Sequence, residues 1–404
     1  MGLSKKAWSG DDMLKKKVAI IGSRGIPNNY GGFEKFAEIV STFLVSKGYH
    51  VCVSCERPAN NKFPPSFKGV ELFYCPLKPP NFFLARLVYE FLYDIFSLFK
   101  AARNADIVYM LGYSAAMFFF IPRLFGKKLW VNPDGMEWKR AKFNPVIRWI
   151  LKESEKMAVF WADTMVVDSM EIKKYMDSKY GIKSEFIPYG ALDVPPIPWD
   201  DNKFPEDLKG KITLNPHYWL VVARLEPENN IHTIIQGYLQ SSVEMPLVIV
   251  GNFGCPRYEE QVNGILEGEK KIIFTGGIYD TEVLNMLRQN CFAYIHGHSV
   301  GGTNPSLVEI MKMNTVILAH NNEFNREVCR DYALYFNDAE DLSRKIEMVD
   351  AERESFFNLG DCARERVLKK YSWEGIVEKY EGLINKPKSG KSSSDRSKSF
   401  VKAK

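Results

Sequence analysis

The sequence predicts an α/β protein with two Rossmann-like, doubly wound domains that face a cleft. Short apolar runs alternate with segments of helical periodicity in both halves of the chain, which is the pattern of βα units. Between the halves, residues 194–205 are rich in proline and poor in apolar residues, which is typical of a linker. The length of 404 residues, 46% of them hydrophobic, is enough for two such domains.

The first half opens with a buried strand at 18–21, which runs into a glycine-rich loop, a helix over 33–47 and a second strand at 50–54. This order predicts a parallel sheet. A second helix over 81–103 carries a stripe of large apolar residues, so we expect it to pack on the core. Further strands are predicted at 107–111, 128–132, 164–168 and 184–188.

The pattern restarts after the linker. Strands are predicted at 219–223, 247–250, 271–275, 291–295 and 315–319. Helices are predicted at 231–239, 281–289, 305–313 and 341–351, and a final helix over 372–385 is expected to return to the first domain. The expected domains are a flexible leader at 1–16, a first domain at 17–198, a second domain at 206–371 and a disordered basic tail at 386–404.

The formal charge of +5 is concentrated at the chain ends. Residues 386–404 carry +6 and residues 1–17 carry +3, so the remaining 18–385 carry −4. A basic nucleic-acid face on the folded part is therefore not expected. The longest uncharged apolar run, 107–122, is shorter than the roughly 20 residues of a membrane-spanning helix, so none is expected.

The cysteines and histidines favour a protein without a metal or a cofactor. Seven cysteines and no apolar signal segment predict free thiols in a reducing cytosol. Cys52 and Cys55 lie in an apolar alternation that predicts a strand, and no second pair has zinc spacing. His296 and His298 share a strand face without a third ligand nearby, so a hydrogen bond or plain packing is favoured over metal binding.

The glycine loop after the first strand could bring backbone N–H groups to a phosphate. A dinucleotide fingerprint would need glycine where Arg24 and Pro27 stand, so a dinucleotide site is disfavoured. The alternative is a tight strand-to-helix turn. Gly25, Gly31 and Gly32 are the candidate contacts to the phosphorylated donor in this loop, and Glu34 is a candidate contact to the acceptor.

Two segments of the second half could bind a phosphorylated ligand. Asn304 is a good N-cap and Pro305 a good first helical residue, and Glu309 follows one turn later, where a carboxylate could accept hydrogen bonds from a sugar diol. The alternative is an ordinary capped helix with a surface glutamate. Arg224 ends a strand, where a guanidinium suits a diphosphate, and the alternative is a surface ion pair with Glu226 or Glu228.

A third segment, at the end of the strand 128–132, groups carboxylates, an indole and cations. A substrate hydroxyl that gives up its proton needs a hydrogen-bond acceptor nearby, and Asp134 is the first candidate and Glu137 the second. Trp138 could stack on a sugar ring, with Arg140 as a further acceptor contact. The alternative is a turn with structural ion pairs.

These motifs carry a family resemblance. The segments VVARLEPENN, VIVGN, FTGGIYDTEVLNMLRQ and SVGGTNPSLVE resemble, in this order, the GT-B glycosyltransferases of retaining family 4. The segments IGSRGIPNNYGGFE and NPDGMEWKR are similar to the subgroup of bacterial rhamnosyltransferases that build cell-surface polysaccharides. The resemblance covers about residues 17–385 and implies the GT-B fold.

The resemblance also implies residue roles. Arg224 would hold the donor diphosphate, and Glu309 the nucleotide ribose. The base would lie on Gly277, Ile278 and Tyr279, and the diphosphate on Gly302, Thr303, Asn304, Pro305 and Ser306. Two positions depart from the family: Asn229 stands where a lysine is usual, and Gly301 where a glutamate beside the donor sugar is usual.

The implied reaction is metal-independent, retaining transfer of L-rhamnose from dTDP-rhamnose to a lipid-linked saccharide at the cytoplasmic face of the membrane. Asp134, Glu137 and Arg224 are the catalytic candidates. One alternative uses another nucleotide sugar: UDP-glucose, UDP-GlcNAc or GDP-mannose. A second is an NAD-linked sugar-nucleotide oxidoreductase with Glu56 as its ribose acid, and a third is a non-catalytic scaffold. For the apolar stripe of 81–103 the alternative to core packing is a surface that meets a lipid carrier, helped by Lys78, Arg86 and the basic tail.

Overall fold

A computed structural model describes residues 15–28, 31–58, 61–80, 82–139, 144–206, 208–213, 217–266 and 268–386. The expected leader up to residue 14, the tail from residue 387 and the acceptor candidate Arg140 lie outside the described residues.

The first sheet has eight strands: β1 (Lys17–Ile21), β2 (His50–Cys55), β3 (Ser66–Phe67), β4 (Val70–Tyr74), β5 (Ile107–Leu111), β6 (Lys128–Asn132), β7 (Thr164–Val167) and β8 (Glu185–Phe186). Their order is β3-β4-β2-β1-β5-β6-β7-β8. The pairings from β4 through β7 are parallel, and β3 joins β4 in antiparallel fashion. The predicted parallel sheet of the first half is confirmed.

Within the described residues, five α-helices accompany the first sheet: α1 (Gly32–Ser46), α2 (Phe83–Asn104), α3 (Ile121–Leu124), α4 (Pro145–Trp161) and α5 (Met170–Tyr180). The expectation that the apolar stripe of α2 packs on the core holds only in part, because Phe96 packs against a buried cluster while other residues of the stripe are exposed. Val88 and Leu92 are exposed, whereas Tyr93 and Asp94 are buried. Among the described residues, no helix combines the length and apolar character needed to cross a membrane.

The second sheet has six strands: β9 (Trp219–Val222), β10 (Leu247–Val250), β11 (Ile272–Gly276), β12 (Ala293–His296), β13 (Val316–His320) and β14 (Leu334–Phe336). They are all parallel, in the order β11-β10-β9-β12-β13-β14. The strand order reverses between β9 and β12. In open α/β sheets, ligands bind at such a switch point beyond the carboxyl ends of the strands.

In the part of the second half that the structure describes, eight α-helices accompany or follow the sheet: α6 (Ile231–Gln240), α7 (Pro256–Leu266), α8 (Thr281–Asn290), α9 (Pro305–Met311), α10 (Glu323–Cys329), α11 (Ala339–Glu352), α12 (Phe357–Lys370) and α13 (Trp373–Asn385). Alternate strand residues enter two cores, one on each face. Leu220 and Val248 belong to one core, and Val221 and Ile249 belong to the other. A sheet buried on both faces explains why its strands have continuous apolar runs.

The chain divides into two compact units. The first comprises Met1–Pro133, Glu153–Val166 and Lys379–Lys404, and the second comprises Asp134–Lys152 and Val167–Glu378. The predicted boundaries at 17–198 and 206–371 stay a prediction.

Five of the seven cysteines behave as apolar residues of the interior, and Cys255 and Cys362 are only partly buried. All seven are free, and Cys52 and Cys55 are buried in β2. Burial raises the pKa of the Cys52 thiol to about 12 and that of Cys55 to about 11. Both thiols are therefore protonated at neutral pH, which disfavours redox or metal chemistry at this pair.

Candidate functional site

The loops at the carboxyl ends of β9, β10 and β11 are joined by backbone hydrogen bonds. The N–H of Gly251 donates to the carbonyl of Gly276 at 2.9 Å, and the N–H of Leu225 donates to the carbonyl of Asn252 at 3.0 Å. Gly251 has φ +153°, and a Cβ there would lie 1.8 Å from the carbonyl oxygen of Ala223. These hydrogen bonds hold the three loops together, and the close approach to Ala223 leaves room only for glycine at residue 251.

The loop after β11 holds the predicted base-binding residues. Asn252 fixes it, because its Oδ1 accepts from the N–H of Gly277 at 2.8 Å and its Nδ2 lies 3.4 Å from the hydroxyl of Tyr279. Ile278 packs on the core, while Tyr279 is 55% exposed and offers a ring on which a base could stack. Asn252 is the last residue of the segment VIVGN, and no role was predicted for it from the sequence.

The loop from β12 to α9 begins this helix as predicted. Asn304 caps α9, because its Oδ1 accepts from the N–H of Ser306 at 3.0 Å and from its hydroxyl at 2.8 Å, and Pro305 is the first helical residue. The hydroxyl of the buried Thr303 donates to the carbonyl of Asp168. A Cβ on Gly302 would lie 1.9 Å from Oδ1 of Asp168, so this contact requires glycine at 302.

Glu309 is not a surface residue, so that alternative is wrong. It is 8% exposed, and its Oε2 lies 2.6 Å from Nη2 of Arg288, which is 2% exposed. Nη1 of Arg288 donates to Oδ1 of Asn285 at 3.1 Å. The guanidinium therefore holds the carboxylate in place at the second turn of α9. Sequence reasoning missed Arg288, whose only signal is a charge beside Leu287 on an amphipathic helix.

Arg224 follows β9 at the switch point. Its side chain is 54% exposed and lies 3.9 Å from Glu226, which is the surface pair that the sequence left open. An exposed pair at this distance contributes little to stability, so the guanidinium can exchange this partner for an anionic ligand. Asn229 stands where the glycosyltransferase family that the sequence resembles usually has a lysine. Its Nδ2 donates to the carbonyl of Arg224 at 2.6 Å. The departure at residue 229 thus has a structural role.

His296 and His298 stack face to face, with ring centroids 4.3 Å apart and planes at 11°. Burial lowers the pKa of His296 well below its usual value, and His298 and His320 lower it further. The ring is therefore neutral, and neither of its nitrogens has a hydrogen-bond partner among the residues described here. The described residues also contain no group of three side chains suited to a metal ion.

The acceptor candidates lie just after β6. Asp134 has a left-handed backbone, with φ +52°, and Glu137 and Trp138 belong to a 3₁₀ turn. The Nζ atoms of Lys152 and Lys179 lie 5.4 and 5.7 Å from the centre of the Trp138 ring. The indole is therefore already in cation–π contact, and a sugar would have to share or replace these partners.

A second carboxyl near Asp134 was not anticipated from the sequence. Asp168 directly follows β7 and is 3% exposed. Burial, and then the nearby charge of Asp134, raise the pKa of Asp168 to about 8. Its Oδ1 has no hydrogen-bond partner in the described part of the chain. The second unit therefore contains a buried carboxyl that is largely protonated at neutral pH.

The glycine loop of the first unit is explained mainly by strand packing. A Cβ on Gly25, which has φ +112°, would lie 2.6 Å from Sγ of Cys55. Oε1 of the buried Glu34 accepts from the N–H of Arg24 at 2.8 Å. Gly31 caps α1 and Gly32 begins it. These contacts favour the tight-turn alternative, and ligand binding by Gly25, Gly31, Gly32 and Glu34 stays a prediction.

Two family descriptions match the chain. Residues 15–192 match a domain of unknown function, DUF1972, and residues 204–366 match "Glycosyl transferases group 1". A search of curated proteins finds no match to this chain.

Solved structures match nearly the whole chain. Sucrose-phosphate synthase from Thermosynechococcus elongatus is 16% identical with a TM-score of 0.75, covering 91% of this chain and 98% of that one. Anabaena Alr3699/HepE in complex with UDP and glucose is 14% identical with a TM-score of 0.70, covering 91% and 99%. A protein titled trehalose-6-phosphate from E. coli, bound with UDP-2-fluoro glucose, is 12% identical with a TM-score of 0.67, covering 92% and 99%.

These likenesses agree with the two parallel-sheet domains described above. The chain has the GT-B fold, and the match of residues 204–366 to the glycosyl transferases of group 1 supports a glycosyltransferase.

Proposed function

We propose that this chain is a retaining, metal-independent glycosyltransferase of family 4 that transfers L-rhamnose from dTDP-rhamnose. The proposed acceptor is a lipid-linked saccharide at the cytoplasmic face of the membrane. The single observation that carries the donor half is the buried Arg288–Glu309 pair, 2.6 Å apart, inside the stretch that matches the glycosyltransferase family.

The donor nucleotide would lie across the carboxyl edge of the second sheet. The exposed ring of Tyr279 suits a base, Glu309 suits a ribose hydroxyl, and the loop before α9 suits a diphosphate. Arg224 would add a guanidinium to the diphosphate, since the ion pair that competes for it within the described residues is a 3.9 Å contact with Glu226. With these groups the diphosphate charge needs no metal ion.

The position of Gly301 supports a sugar with few hydroxyl groups to bind. Gly301 has φ +129°, and a Cβ built there would meet no atom within 4 Å among the described residues other than its chain neighbours. The open space stands where the resembling family has a carboxylate beside the donor sugar. A deoxysugar such as rhamnose would lose less from that missing hydrogen-bond acceptor than glucose would.

In the proposed reaction the bond between the sugar C1 and the donor diphosphate breaks, and a bond from C1 to the acceptor oxygen forms on the same face. The leaving diphosphate takes the acceptor proton, with Asp134 as the protein group that orients the acceptor hydroxyl. Rate enhancement would come from positioning and from charge stabilisation, and no covalent carboxylate is needed.

The UDP-bound neighbours support UDP sugars as the alternative donors. Anabaena Alr3699/HepE was solved in complex with UDP-glucose, although it is only 15% identical to this chain. The alternative therefore differs in the donor sugar and not in the kind of reaction.

The test is a donor panel read by product mass. The purified chain is incubated with dTDP-rhamnose, UDP-glucose, UDP-GlcNAc or GDP-mannose and with synthetic lipid-diphosphate saccharides. We expect a mass gain of one deoxyhexose with dTDP-rhamnose alone. A gain with another donor would replace rhamnose, and no transfer with any donor would contradict the proposal.

Two variants assign the roles. Glu309→Gln should weaken nucleotide binding at least tenfold, because an amide is a poorer acceptor than a carboxylate and loses its ion pair with Arg288. Asp134→Asn should lower turnover while nucleotide binding stays near that of the wild type. Glu340→Gln, at an exposed position of α11, is the matched control and should behave as the wild type.

A further inference from the structure

The long helix α2 buries polar groups beside apolar ones such as Leu98 and Ala101, and it exposes several large apolar residues. Its buried face carries Tyr93, Asp94 and Ser97, and its exposed face carries Val88 and Leu92. The buried polar groups of Tyr93 and Asp94 are satisfied: the Tyr93 hydroxyl donates to the carbonyl of Ser23 at 2.7 Å, and Asp94 accepts from the hydroxyl of Ser114 at 3.0 Å. These hydrogen bonds hold one side of α2 against the first unit, and Val88 and Leu92 lie exposed on another side.

The exposed apolar side chains continue from α2 onto the end of α3. Val88, Leu92 and Phe99 are 60%, 44% and 46% exposed, and their spacing places them on one side of the helix. The ring of Phe99 contacts that of Phe125 at 5.6 Å between centroids, and Leu124 beside it is 74% exposed. We call these five residues the outer apolar face. A contiguous apolar surface of this kind on a folded unit marks an interaction site.

Cations lie at one end of this surface. Lys100 and Arg103 are exposed on the last turns of α2, and the guanidinium carbon of Arg103 lies 5.6 Å from the centre of the Phe99 ring. Arg86, which the sequence offered as a helper, is instead engaged by Glu56 and by Glu90 at 3.0 Å. The charge beside the outer apolar face is therefore positive and concentrated near Phe99.

We propose that the outer apolar face docks the first unit onto an anionic lipid bilayer, with α2 lying in the plane of the interface. An apolar stripe with adjacent cations is the pattern of helices that rest in the headgroup region. From Val88 to Phe99 the stripe is about 16 Å long, which is enough for several side chains to enter the acyl boundary. Lys100 and Arg103 would meet the lipid phosphates. This surface deepens the membrane-face part of the proposed function.

The test measures vesicle binding of the full chain without donor or acceptor, so it is independent of transfer activity. Vesicles of phosphatidylcholine with one-third phosphatidylglycerol are sedimented with the wild type and with Val88→Glu/Leu92→Glu. We expect the double variant to lose at least tenfold in partition coefficient. Raised salt should leave a residual wild-type binding, because insertion of apolar side chains is not screened as a basic tail is.

The matched control is Met348→Glu/Leu368→Glu, which adds the same charge at residues 40% and 44% exposed on α11 and α12. It should bind vesicles as the wild type does, and circular dichroism should show both double variants folded. Equal binding of both double variants would overturn the proposal. A wild type that is dimeric without lipid, but monomeric as Val88→Glu/Leu92→Glu, would also overturn it and assign the face to a second copy of the chain.

Discussion

Arg288 is the residue on which the donor site depends most. It is 2% exposed, and its guanidinium contacts Oε2 of Glu309 at 2.6 Å and Oδ1 of Asn285 at 3.1 Å. A buried charge pair of this kind gives little net stability over an apolar pair, but removing one partner leaves the other charged and desolvated. The pair is therefore better explained as a device that fixes a carboxylate for binding than as a source of stability.

Arg288→Met should therefore lower the free energy of unfolding by about 3–5 kcal/mol, because it leaves the Glu309 carboxylate buried without its cation. The double variant Arg288→Met/Glu309→Gln should recover part of this loss. Urea denaturation measures both. If the single variant is as stable as the wild type, the carboxylate is not held by this guanidinium.

Asp168 predicts a pH dependence of stability. Its pKa in the folded chain is about 8, above the ordinary 3.8, so between these values the folded state holds a proton that the unfolded state has lost. The contribution of this group is fully present below about pH 4 and is lost as the pH rises towards 8, at no more than about 1.4 kcal/mol per pH unit.

Asp168→Asn removes that titration. As the pH rises from about 6 to about 8, the free energy of unfolding of this variant should therefore increase relative to that of the wild type. Urea denaturation at both pH values measures this, with Asp361→Asn at an exposed position of α12 as the control. A difference between Asp168→Asn and the wild type that does not change with pH would contradict the assignment.

The loops at the carboxyl edge of the second sheet owe their conformation to glycine. Gly251 has φ +153°, and a Cβ there would lie 1.8 Å from a backbone oxygen. Gly264 in α7 has no atom within 4 Å of an added Cβ. The same substitution should therefore have opposite effects at these two positions.

Gly251→Ala should lower the free energy of unfolding by more than about 2 kcal/mol, because the loop after β10 must move away from the loop after β9. Gly264→Ala should raise it by about 0.5–1 kcal/mol, because alanine is the better helix former. Thermal unfolding compares the two. Equal melting temperatures would mean that the loop after β10 can adjust at little cost.

The sequence predicted most strands of both sheets and the cap of α9, because apolar runs and capping residues are local signals. It missed the strands β3, β4 and β14. It missed α3, α4, α5, α7, α10 and α12. The helices α3 and α10 have only 4 and 7 residues, too few to show a clear helical period. The helix α4 exposes large apolar residues, among them Val146 and Trp149, so its apolar residues do not mark one buried side. It also missed the outward direction of α2. Periodicity identifies an apolar side of a helix but does not say whether that side meets the core.

The sequence predicted the loop residues of the candidate site but not the residues that hold these loops in place. Asn304, Glu309 and Tyr279 follow from motifs, because a motif records residues close together in the chain. Arg288, Asn252 and Asp168 act across 21, 25 and 134 positions, on Glu309, Gly277 and Gly302, so only the fold brings them to their partners.

The two units carry different parts of the proposed function. The second unit contains the loops proposed for the donor, together with Asp134 and Asp168, and the first contains the outer apolar face. The negative charge of residues 18–385 fits neither a nucleic-acid partner nor a uniformly basic membrane surface, so membrane attraction must be local. Lys100 and Arg103 supply such a local charge.

A crystal structure with bound dTDP tests the donor site. We expect a ribose hydroxyl within about 3.2 Å of Glu309, the diphosphate against the backbone of 302–306 and the base beside Tyr279. A nucleotide bound elsewhere, or crystals that take up no nucleotide at saturating concentration, would contradict it.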